Sequence, residues 1–403
     1  MSNRNNAIQK ANQYPTLRIL LGLIYVGALS AGLFFLPRMA PTLLEVEHWT
    51  ADWRSALFSD QIESQYPDIA VITISEETLA DYPYRSPIDR GLLERLVKFA
   101  DRAGAKAIGL DIIFDQPTEV MKDKNLHDAF NKAQTKIVLG ALDERVDLNE
   151  KQRSYQTDYV FSQKNSVGYL NVRRDADGVI RYTAPPAATT TNGGTEAAAA
   201  AARYPVSFAG RMAETTGIKD VASPDRISWM KPPKDGSDIF LKIPAEIITK
   251  FGDDPNNPLA QNIAGKLKNK LVLIGADFKS EDRHPTPLTK LSGENMAGIL
   301  VHAQILAQIL DGRHIHHLAT LYEWPILIAI ALIGLILGWR FRLKKYGFLV
   351  GLIATILLIA ADFFIYSQFR VILPFTTPFI AWIFGVTGGF YLGNSFKSDA
   401  EIN

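Results

Sequence analysis

This chain begins and ends in stretches too long and too apolar to be satisfied by water. Residues 19–36 are 18 consecutive uncharged, mostly apolar positions, closed by Pro37. A helix of that length covers the hydrocarbon core of a bilayer. The run exceeds the apolar core of a cleaved leader, and Pro37-Arg38-Met39-Ala40 is a poor cleavage site, so it reads as an uncleaved anchor. Three further candidates lie near the other end. Residues 324–339 are uncharged with a tryptophan at each edge, where amphipathic rings favour the interface. Residues 346–367 are interrupted only by Asp362, and 371–396 are uncharged with Pro374 and Pro378 near their start. The expected layout is an N-terminus (1–16), a first span (17–36), a polar region (37–320), three more spans (321–339, 346–367 and 371–393) and a tail (394–403).

Orientation follows from the basic residues. Arg4, Lys10 and Arg18 precede the first span, and Arg340, Arg342, Lys344 and Lys345 crowd the loop between the second and third. Cytoplasmic loops collect Lys and Arg, so both groups are expected in the cytoplasm, with the N-terminus and the tail. The polar region then lies outside, and the chain is expected to be a multi-pass protein of the bacterial inner membrane with its central domain in the periplasm. Asp362 is the one acid interrupting these apolar runs. Its place near the outer end, close to Arg370, reads as an interfacial group rather than a functional one.

The polar region holds 38 acidic against 34 basic residues in a chain of net charge +1, so nothing marks nucleic acid as a partner. The absence of cysteine excludes disulfides, thiolate metal sites and cysteine nucleophiles. Residues 69–74, 107–114 and 136–139 are compact apolar runs. Between them Ile88, Leu92, Leu93, Leu96 and Phe99 recur at helical spacing over 87–102, and 122–133 reads as a second helix. Strands alternating with helices imply parallel crossovers. Residues 167–172 and 179–183 flank Asp177-Gly178 and read as a hairpin. Asp175-Ala176-Asp177-Gly178 has the opening spacing of a calcium loop but lacks its later Glu, so it reads as a turn. Residues 184–202 are a low-complexity insertion to which no chemistry is assigned. Strands at 240–243 and 270–274 follow, then a helix over 296–310, stopped by Asp311-Gly312 and leading toward the second span. The expected fold is an α/β extracytoplasmic domain, with a mixed, largely parallel sheet, flanking helices and a hairpin, plus four transmembrane α-helices.

These residues resemble the CHASE2 extracytoplasmic sensory domain of bacteria. The likeness begins at Asp52-Trp53-Arg54 and continues with Gly104-Ala105, Asp111 and Phe114. Asp175, Asp177, Gly178 and Arg181 resemble the family's hairpin. The run 270–275, then Asp282, Thr286-Pro287, Gly298 and His302-Ala303, resemble its C-terminal block. The resemblance covers about residues 45–315. It implies a sensor followed by three membrane helices and, usually, a cytoplasmic cyclase or kinase. Here some seven residues follow the last span, so the expectation is a sensor that signals through a separate partner protein. The chain departs from the family at residues 82–87, Tyr-Pro-Tyr-Arg-Ser-Pro, where a Trp-rich stretch is usual, which leaves ligand contacts from this loop unassigned.

In open α/β sheets, ligands bind beyond the carboxyl ends of the strands. The expected strands end in Glu76, in Asp111 with Asp115, and in Asp277; Asp282 and Thr286 follow on the last loop, and Arg90 opens the first helix. These, with His302, are the candidate ligand-binding residues, against the alternative of a structural network of caps and ion pairs. His284, His302, His314, His316 and His317 cluster in sequence, but adjacent His316 and His317 cannot readily share a compact metal site, so no metal and no cofactor is expected. Paired carboxylates admit hydrolysis, yet no Gly-x-Ser-x-Gly elbow or phosphate-binding glycine loop accompanies them. The expected function is sensory, not enzymatic: an unidentified extracytoplasmic ligand, a homodimer and a separate output protein. The input half of a split or truncated cyclase or kinase receptor is one alternative, and a membrane-anchored hydrolase another.

Overall fold

The structure, a computed structural model, describes residues 15–161, 166–185, 203–219, 221, 224–341 and 347–394. Arg4, Lys10, Arg342, Lys344, Lys345, residues 186–202 of the insertion and the tail from 395 lie outside the described residues. The chain divides into two units: residues 1–54 with 315–403, and residues 55–314.

The second unit is built on six strands: β1 (Ile69–Ile74), β2 (Ala107–Asp111), β3 (Lys136–Ala141), β4 (Ser166–Tyr169), β7 (Leu241–Pro244) and β8 (Leu271–Ala276). Their order is β4-β3-β2-β8-β1-β7, and every neighbouring pair is parallel. A parallel sheet is covered on both faces, which is why β1 is buried along its whole length and reads as a continuous apolar run. The helices α1 (Arg90–Arg102), α2 (Val120–Lys132), α3 (Glu150–Phe161), α5 (Ala245–Phe251) and α6 (Pro258–Leu267) bury their apolar sides in one core. The other core is filled by α4 (Phe208–Glu214) and α7 (Gly298–Asp311). Helix α1 starts at Arg90 rather than near Pro87 because Asp89 caps it, accepting from Gly91 N at 2.8 Å and Leu92 N at 3.0 Å.

Two expectations need correction here. The hairpin is not one piece. Strand β4 joins the large sheet, and only β5 (Val172–Arg174) and β6 (Ile180–Thr183) form an antiparallel ribbon. Within it, fully buried Arg181 binds Asp175 at 2.9 Å and Asp177 at 2.6 Å, so an arginine occupies both carboxylates of the calcium-like spacing. Helix α3 was not anticipated, because only Gln156, Tyr159 and Val160 are buried on an otherwise polar surface.

The first unit is helical. Three of its helices are long and apolar enough to cross a membrane: Ile19–Pro37, Thr320–Arg340 and Gly347–Phe369. The fourth expected span, 371–393, is not among them. Val371–Ile372 pair as a short strand with His316–His317, and the helix begins only at Thr376, running to Asn394. Threonines, Pro378 and four glycines dilute its hydropathy. Those glycines serve packing. Gly334 and Gly338 on Thr320–Phe341 meet Gly385 and Gly389 on Thr376–Asn394, and a Cβ at Gly338 would strike Val386 O while one at Gly389 would strike Leu335 O. Small residues spaced by four let helix backbones approach this closely.

Asp362 is not paired with Arg370. Its Oδ1 lies 2.6 Å from Arg54 NH1, a fully buried guanidinium that also donates to Leu373 O at 3.0 Å. Glu47, 3.4 Å from Arg54 NH2, accepts from Phe375 N and Thr376 N at 2.8–3.0 Å, so its charge caps the last helix.

Candidate functional site

The carboxyl ends of β1, β2, β3, β4 and β8 open on a cavity of about 660 Å³ lined only by residues of the sheet domain. Topology places it there: β8 is inserted between β1 and β2, so the loops after these strands diverge and leave a crevice. Asp111 ends β2 and Asp282 lies on the loop after β8. His302 stands one turn into α7, on the same helix face as Gly298. The Asp282 carboxylate occupies the place a Cβ on Gly298 would take, so only glycine lets this loop close on the start of α7. The loop is further fixed by Gly298 N donating to Asp282 O at 3.1 Å and by a two-residue ladder joining Arg283–His284 to Met296–Ala297.

The electrostatics of the cavity floor are unusual for a polar site. The Asp111 carboxyl has no hydrogen-bond partner among the described residues, and burial, reinforced by the charge of Asp282, pushes its pKa up to about 8. Burial pushes the His302 imidazole down to about 4, against the pull of Asp282 and of a hydrogen bond to the Leu170 backbone. His284 is buried, with Nε2 2.9 Å from Asp282 Oδ1. Burial thus favours the uncharged form of both Asp111 and His302. No group of three or more His, Asp or Glu among the described residues is arranged to hold a metal ion.

Of the eight candidate residues, the cavity gathers Glu76, Asp111, Asp115, Asp282 and His302. Glu76 accepts from Lys279 N at 2.7 Å, and backbone donors hold its pKa below the ordinary value. Asp115 accepts from Gln152 at 2.8 Å. The other three lie elsewhere. Arg90 is fully buried, 4.7 Å from the centroid of the Phe114 ring, 3.3 Å from Asp123 and donating to the carbonyls of Ile88 and Gln116; it ties α1 to α2 and belongs to the core. Asp277 pairs with Arg283 at 2.6 Å, and with Thr286 it lines a different cavity of about 780 Å³.

Arg85, Ser86 and Arg174 are among the lining residues that the sequence reading did not name. Arg85 and Ser86 come from the 82–87 loop, which lines the cavity although it departs from the family pattern. Arg174, at the end of β5, was hidden by the misplaced hairpin. The signal that could have found Arg85 is its position just before α1, at the mouth of the first strand–helix crossover.

The described residues thus combine a parallel α/β sheet domain, with a crevice at its carboxyl edge, and three helices long and apolar enough to cross a membrane. The CHASE2 domain model matches residues 24–339, and the chain belongs to this family of sensory extracellular domains. The match takes in the first two apolar helices as well as the sheet domain. Comparison with curated proteins and with solved structures gave no match.

Proposed function

We propose that this protein is a sensor of the bacterial cytoplasmic membrane whose sheet domain faces outward, takes a small soluble ligand in the cavity at its carboxyl edge, and signals through a separate partner protein. The observation that carries the reading is Asp111, which shares one crevice with Glu76, Asp115, Asp282 and His302 yet has no hydrogen-bond partner among the described residues, while the buried arginines Arg54, Arg90 and Arg181 are all paired. A domain that needed Asp111 only for stability would pair it, as it pairs Arg90 and Arg181. The outward placement rests on the basic residues before the first apolar helix and after the second. It needs those two helices alone to cross, and so is independent of the fourth.

The chain has no cysteine, so topology can be read with one introduced thiol. In the Ser64→Cys variant of the full chain, at an exposed position of the sheet domain, a membrane-impermeant maleimide is expected to label intact spheroplasts. Labelling only after lysis would overturn the outward placement. A single cysteine introduced within Thr320–Phe341 tests the homodimer by cross-linking between copies. For binding, the full chain in lipid nanodiscs is expected to melt at higher temperature with the small-molecule fraction of spent medium, and Asp282→Asn is expected to abolish the shift.

A further inference from the structure

Resting on the reading of this cavity as the ligand site, we propose that its occupant is a small zwitterion, carrying an ammonium group for the floor and a carboxylate for the rim: a free α-amino acid or a short peptide. The floor offers Asp111, without a hydrogen-bond partner among the described residues, beside the carboxylate of Asp282. Two carboxyl groups side by side in a cavity, one of them without a partner, are suited to receive a cation. An ammonium between the two stabilises both as carboxylates, and Asp111 gives up its proton to water as the cation enters. The rim offers the opposite chemistry. Arg85 and Arg174 are exposed at the cavity from separate loops, and neither guanidinium has a hydrogen bond or ion pair to a described residue. Elsewhere the sheet domain commits its arginines: Arg90, Arg145, Arg181, Arg211 and Arg283 each hold a carboxylate. Two uncommitted guanidiniums over an uncommitted acid match a ligand with both charges, since forked N–H donors pair with carboxylates bidentately. A volume of about 660 Å³ admits a side chain or a second residue beyond the two charged ends.

The test uses the full chain in nanodiscs, titrated calorimetrically with the twenty common L-amino acids and a set of dipeptides. Putrescine, succinate and glucose serve as doubly cationic, doubly anionic and uncharged controls. At least one free amino acid or dipeptide is expected to bind, and N-acetylation or C-amidation of it is expected to weaken binding about tenfold or more, the scale of one charge-assisted hydrogen bond. Arg174→Ala or Arg85→Ala is expected to weaken the free ligand but not its C-amide, which locates the carboxylate at the rim. Binding by succinate or putrescine alone, lost in Asp282→Asn, would overturn the zwitterion and leave the cavity as a ligand site. Absence of binding by every zwitterion also overturns it. If a binding ligand is unaffected by Asp282→Asn, Arg85→Ala and Arg174→Ala, the cavity itself fails as the site.

Discussion

Arg54, fully buried in the helical unit, and Asp111, half-buried at the cavity of the sheet domain, are both ionisable groups with restricted access to water, and the chain treats them in opposite ways. Arg54 is held by Asp362, Glu47 and the Leu373 carbonyl, and Glu47 in turn caps a helix. Asp111 meets the like charge of Asp282 and keeps its proton instead. A buried charge held by an opposite charge fixes architecture, whereas one left without a partner is unstable until something arrives. The contrast separates scaffold from site within one chain, and the same criterion puts Arg90 and Arg181 with the scaffold.

Breaking the scaffold side should have the largest effect. Arg54→Ala leaves Asp362 buried and unpaired and is expected to cost about 3–5 kcal/mol, read as a lower unfolding midpoint of the full chain in mild detergent. Arg54→Ala with Asp362→Ala should be less harmful than Arg54→Ala alone; equal losses would mean that the pair is not compensating. Next comes the glycine seam. Gly338→Ala forces a Cβ into Val386 O and is expected to cost about 1–3 kcal/mol. Gly351→Ala, in open space, should be close to neutral.

The site side predicts smaller and pH-dependent effects. The folded pKa of Asp111, about 8, lies above the ordinary carboxylate value, so its contribution to stability is complete below about pH 4 and is lost as pH rises through about 8. His302 runs the other way. Its folded value of about 4 lies below 6.5, so its contribution is present above that pH and is lost as pH falls through about 4. Asp111→Asn should therefore melt higher than the parent chain at pH 8, and His302→Gln should flatten the acid side of the profile. A parent-like alkaline arm in Asp111→Asn would place the titration on another group. The smallest effect belongs to the exposed pair Lys98–Glu94, where Lys98→Ala is expected to change stability by less than about 0.5 kcal/mol.

How much of this could be read from the residues alone follows from the same physics. The strands β1, β2 and β8 were legible because strands covered on both faces are written as unbroken apolar runs. Asp111, Asp282 and His302 were legible as a group because carboxyl ends of parallel strands converge on one edge. The pairings were not. Asp362 finds Arg54 across 308 residues, and no local pattern carries that information, so the nearby Arg370 was the only visible partner. Arg90 was misassigned to the site for the same reason, since Asp123 reaches it only once α1 and α2 pack together. The last helix was overcounted as a span because uncharged length alone hides the glycines that commit it to helix packing.

The central claim is that the crevice at the carboxyl edge of the sheet, and no other surface, receives the ligand. Hydrogen–deuterium exchange of the full chain in nanodiscs, with and without the small-molecule fraction of spent medium, tests it directly. The account predicts slowed exchange confined to residues 84–88, 111–116, 278–284 and 298–302. No change in those segments, or protection centred on 231–242 and 288–296 around the other cavity, would contradict it.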